Sequence, residues 1–271
     1  MDIVKRNLMR LLTSGALNEY EPLEPMSRYK WQRLFALAVT LHVDDLVEQG
    51  ARHHQYAPDG LPAEVLSLFL ARSQRIEAPS PSEAASSYLC NAWLNRRLEA
   101  IRRQEPHQID ASMDTLQLLN LLVAATRAMF ERGIVFRETL LVGRYLRTKG
   151  QHVDFVKLDA WLRRLRLSSM ANLTGNMLIA VFGFESDEIP FVGSTDQRAR
   201  RMVMNALQGK DTDALQGDWH FRQQESGLVT GNTRVWMTYL SRCMKFVPYA
   251  PLEAFSTLIK GFLTSLSEIE E

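Results

Sequence analysis

Few residues in this 271-residue chain combine the type and the spacing that chemistry needs. Asp211 and Asp213 stand one residue apart, downstream of Gly193 and Ser194, as do the two carboxylates that hold a divalent metal against a triphosphate. Such a pair sits in an apolar strand, whereas Gly209, Lys210 and Ala214 make a polar loop here, so the expectation is a solvated turn. His42 with Asp44 and Asp45, and the pair His53 and His54, offer metal-ligand chemistry by composition alone. Neighbours on a helix point about 100° apart, so neither pair converges on one ion. His220, beside Trp219 in a long polar stretch, suits packing better than ligation. Asp110 and Asp114 are four apart and would share a helix face if their helix began early, the route to a divergent metal-dependent transferase. The phosphate-cradling patterns GxGxxG and GxxxxGK[ST] do not occur, and neither does a GxSxG elbow, which excludes nucleotide binding or acyl chemistry through those devices. No catalytic residue, metal ligand or cofactor is assigned.

One local charge imbalance remains. Between residues 127 and 166 the basic residues Arg127, Arg132, Arg137, Arg144, Arg147, Lys149, Lys157, Arg163, Arg164 and Arg166 outnumber Glu131, Glu138, Asp154 and Asp159. Arg137, Arg144, Arg147, Arg163 and Arg164 are the candidate anion-binding set, since clustered guanidiniums neutralise phosphate. The nearby aromatics fall on or beside apolar faces, so a solvated helix face is the plainer reading and a nucleic-acid partner is not expected.

The elements that must position these residues read as helices. At 46% hydrophobic residues the chain can build a large core, and a net charge of +1 gives no global field toward nucleic acid or an anionic membrane. Cys90 and Cys243 lie far apart without CxxC or Cys/His spacing, which predicts buried thiols in a reducing, cytoplasmic setting. Arg6, Asn7 and Arg10 interrupt the first apolar stretch, so an amphipathic helix is predicted there instead of a signal peptide, and no apolar run is long enough for a membrane span.

Residues 2–12 place Ile3, Leu8, Leu11 and Leu12 on one face, with Ser14 and Gly15 as the expected stop. Ser27 is the expected N-cap of a helix carrying Trp31, Leu34 and Ala38, and a further helix holds Val43, Leu46, Val47 and Ala51. Pro62 opens a predicted helix to Leu70, and another is predicted from Glu83 to Pro106. The stretch 116–167 reads as three successive helices: the first apolar nearly all round and ended by Gly133, the second over 136–148, the third capped by Asp154. Helices over 168–183, 196–208, 233–246 and 251–269 follow, with 209–232 as a surface excursion. No stretch alternates with the two-residue period of a strand. The prediction is an all-α bundle of roughly ten to twelve helices, with an N-terminal region over 1–106 and a C-terminal region over 112–271 packed on it or continuous with it.

Three stretches resemble a poorly characterised family of bacterial nucleotidyltransferases, in which a polymerase-β-like catalytic domain is held between helical segments. They are WQRLFALAVTLHVDDLVEQGA at 31–51, ERGIVFRETLLVGRYLR at 131–147, with Gly133, Ile134 and Arg137 at a helix junction, and VDFVKLDAWLRRLRLSSMANLTGNMLIAVFGFESDEIPF at 153–191. The resemblance implies that catalytic strands with a paired carboxylate motif would lie between Pro106 and Ser112, where only HQIDAS stands. It also implies histidines where Ala124 and Ala128 occur, and an aspartate where Leu141 occurs. The expectation is therefore a non-catalytic helical relative that acts through protein contact or ligand binding, with a full-length transferase as one conceivable partner. The oligomeric state is not legible.

Overall fold

The computed structural model describes residues 2–54, Val65, Ser67, 87–193, 196–207 and 239–267, and the chain is all-α, with no strand among the described residues. The predicted helix 62–70, the surface excursion 209–232, Asp211, Asp213, Trp219 and His220 lie outside those residues, Val65 and Ser67 excepted.

Helix α1 (Ile3–Leu17) does not stop at Ser14 and Gly15 as its sequence suggests. It runs one turn further and ends at Asn18, whose left-handed backbone (φ 57°) returns its N–H to Ser14 O. Gly15 instead serves contact with α3 (Asp44–His53), which packs across it. A Cβ on Gly15 would come within 2.0 Å of Leu46 O, and a Cβ on Gly50 within 2.0 Å of Leu11 O. The two backbones therefore touch at both glycines, and Val4, Leu8, Leu11, Leu12, Val47 and Ala51 close around the contact. Between them, α2 (Arg28–Thr40) buries Trp31, Leu34 and Ala38; Ser27 holds the N-cap position but makes no capping bond.

The helix predicted from Glu83 begins later, as α4 (Ala92–Gln104). Asn91 sets the boundary because its side chain accepts from Trp93 N and Leu94 N, and residues 87–89 ahead of it are not helical. A single 3₁₀ turn at Glu105–His107 closes it, with Pro106 inside.

The central helix α5 (Met113–Arg132) is buried along most of its length, including Leu118, Leu119, Leu122, Val123, Met129 and Phe130. It packs against α6 (Phe136–Lys149), α7 (Phe155–Arg164) and α8 (Ser168–Phe182). Each large side chain withdrawn from water contributes roughly 1.5–3 kcal/mol, so this contact set is a main source of stability. Gly133 turns the chain out of α5 at φ 91° and ψ −147°, which only glycine adopts without strain. Asp154 caps α7 through Lys157 N as its position predicts, and Gly183 ends α8 in the left-handed region. Then follow α9 (Gln197–Leu207), α10 (239–246) and α11 (Pro251–Ser267). One contiguous core runs from Val4 to Ala254, joining the N-terminal helices to the C-terminal ones.

Candidate functional site

The predicted anion-binding arginines lie on two helices, Arg137, Arg144 and Arg147 on α6 and Arg163 and Arg164 on α7. Arg137 lies under α3, its side chain only 10% exposed, with Nη2 2.8 Å from Asp45 Oδ2. That arginine is removed from any solvent-facing set by burial and by its ion pair. Arg147 pairs with Glu19 and, at 3.1 Å, with Glu188, while its guanidinium covers the Phe184 ring at 4.0 Å. Arg163 pairs with Asp159 one turn earlier at 2.5 Å. Arg144 and Arg164 are exposed, and the Arg164 carbonyl accepts from Arg97 Nη1 at 2.9 Å. Arg137 and Arg147 thus tie α6 to distant parts of the chain, Arg163 pairs within α7, and carboxylates already stand beside these three.

The bridge between α4 and α5, where the resemblance would place catalytic strands, is tied down from inside. Glu105 is fully buried, and its Oε1 accepts from Ser112 N at 2.7 Å and Lys157 Nζ at 2.6 Å. Asp110 and Asp114 do not share a helix face, because α5 begins at Met113, after Asp110. Asp110 lies 3.6 Å from Lys157 Nζ, and Asp114 accepts from Tyr145 OH at 2.8 Å. Ala128 is buried, and Ala124 and Leu141 are half-buried.

His53 serves the α1–α3 contact. His53 Nδ1 lies 3.0 Å from Ser14 O and 3.3 Å from Ser14 Oγ. His54 is buried and stacks on Tyr20 at 4.6 Å, and that burial pulls its imidazole below the ordinary value of 6.5. Among the described residues no three His, Cys, Asp or Glu side chains are grouped to hold a metal ion. Both cysteines are free; Cys243 is buried as expected, whereas Cys90 is half-buried.

The surface that sequence reasoning missed is α11. Pro251 starts it, with φ preset for a helix. Its inner side is anchored by a buried carboxylate: Glu253, 2% exposed, accepts from Cys90 N and, at 3.0 Å, from Asn91 N, so it also caps the start of α4. Burial raises the Glu253 carboxyl above its ordinary value, and the two backbone donors oppose that shift. Asn91 Nδ2 donates to Ser256 Oγ at 2.8 Å, Tyr239 OH donates to Thr257 O at 2.9 Å, and the Tyr239 ring fills the place where Gly261 would carry a Cβ. Ala254 and Thr257 complete the buried side.

The outer side is apolar. Leu252, Phe255, Ile259 and Phe262 are 40%, 55%, 62% and 49% exposed and follow one another at steps of three, four and three residues. That spacing puts them in one stripe along the helix. The signal lay in the sequence as the three-four-three spacing of large apolar residues from Leu252 to Phe262. No protein-family model, curated protein or solved structure matches the chain.

Proposed function

We propose that this chain is a protein-interaction module, a non-catalytic helical relative of nucleotidyltransferases that works through the outer face of α11. The observation that carries the reading is the exposed stripe Leu252, Phe255, Ile259 and Phe262 on a helix held rigidly from its other side by Glu253, Asn91 and Tyr239. Isolated exposed apolar residues are ordinary, but several in one contiguous row mark a contact surface. The anchoring supports the same reading, because a recognition face on a fixed element loses little conformational entropy on binding. The kinship with nucleotidyltransferases is supported by the residues around Gly133 and Arg137 that carry the resemblance.

The test is in-cell photo-crosslinking with a crosslinking residue in place of Ile259 and, as a control, in place of Val156, a lone exposed apolar residue on α7 (84% exposed). A discrete adduct from position 259 and none from position 156 is the expected result. An adduct of the mass of a full-length transferase would join the two halves of the proposal. No adduct at position 259 would remove it.

A further inference from the structure

We infer that the occupant of the α11 stripe is a second copy of this chain, paired α11 to α11 about a two-fold axis; this rests on the reading of α11 as an interaction face. Three features of the stripe point to a copy of itself. The first is spacing. Steps of three, four and three are those of the a and d positions of a heptad. A seam of that kind is closed by an equivalent seam, which a two-fold contact supplies from the identical residues of the other copy.

The second feature is area. At roughly 200 Å² for a fully exposed large apolar side chain, the four exposed fractions amount to about 410 Å² per copy. Homodimer interfaces are about 65% apolar, so two such stripes face to face correspond to an interface of about 1,270 Å² in total. That falls within the standard class of about 1,600 ± 400 Å² that supports specific association.

The third feature is charge. The stripe itself holds no ionisable residue; the cations Lys260 and Arg127 stand at its edge on the Tyr88 ring, at 5.3 and 3.9 Å, and the net charge of the chain is only +1, so two copies bury no charge in the seam. A membrane surface is the weaker occupant. Helices that lie on anionic bilayers flank their apolar face with several lysines and arginines of their own, and α11 supplies only Lys260 between Pro251 and Phe262.

The experiment is sedimentation equilibrium of the full chain at tens of micromolar, for the wild type, Ile259→Glu and Val156→Glu, with far-UV circular dichroism on each. The expected result is twice the 31.0 kDa chain mass for the wild type and Val156→Glu, and the single-chain mass for Ile259→Glu with its helix content unchanged. A monomeric wild type overturns the inference whatever the variants do, and so does a dimer that survives Ile259→Glu. Should Ile259→Glu lose its helicity, Ile259→Ser decides by the same criterion. A monomeric wild type that still gives the position-259 adduct in cells removes the second copy while leaving the interaction face. A monomer with no adduct removes both. Flotation of the wild type with anionic vesicles, lost in Ile259→Glu, would assign the stripe to a bilayer and overturn the pairing.

Discussion

The pair α1 and α3 and the helix α11 use the same material to different ends. All three carry apolar residues and a glycine on a packed side. In the first pair the glycines bring two backbones into contact and the large apolar side chains around them are covered. In α11 the glycine seats against Tyr239 and the buried side is small and polar, Glu253, Ala254 and Thr257, while Phe255 and Ile259 face out. The difference teaches that apolar content alone does not locate a core. The covered side of α11 is built from residues that hydrogen-bond and fit closely; its exposed side is built from residues that would stabilise any surface laid on them.

The comparison breaks most readily at the glycines. Gly50→Ala drives a Cβ into a backbone carbonyl that cannot yield, and should lower stability by on the order of 3 kcal/mol, read from urea unfolding. The buried strut comes next. Arg137→Ala strands the Asp45 carboxylate, which is itself about four-fifths buried, and should cost about 2 kcal/mol, while Arg137→Met with Asp45→Leu should recover most of that loss. Gly133→Ala is smaller, about 1–2 kcal/mol. Nothing lies within 4 Å of the new Cβ, so the cost there is backbone strain alone.

A fourth test concerns pH. Burial holds the His54 value in the folded chain below the 6.5 of the free side chain, so the unfolded chain takes up the proton first as pH falls. The stabilising contribution of neutral His54 is complete above about pH 6.5 and is lost as pH drops through the folded value. His54→Phe, which can keep a ring against Tyr20, should flatten the fall in stability between neutral and mildly acidic pH.

Much of the frame was legible from local rules. Helical periodicity and the absence of strand patterning gave the all-α class, and Gly133, Asp154 and Gly183 marked ends that local backbone preference decides. Ser14 and Gly15 misled because a glycine required for helix contact looks, in one dimension, like a glycine required for a stop. Asn91 was passed over because its capping role depends on two N–H groups one turn ahead rather than on the apolar pattern. The arginines were read as a set because they cluster in sequence, yet their partners Asp45, Glu19 and Glu188 come from distant elements that sequence spacing does not align. The α11 stripe is present in the sequence as spacing, but spacing marks a helix face without saying whether that face is covered.

The most direct measurement is the stability of the single chain after the stripe is made polar. Phe255→Ser with Ile259→Ser, unfolded in urea at nanomolar concentration and followed by tryptophan fluorescence, should lie within about 0.5 kcal/mol of the wild type, as exposed positions do. A loss of about 3 kcal/mol or more would be that of a core truncation. It would place Phe255 and Ile259 in the interior of the fold and contradict the assignment of α11 as an interaction face.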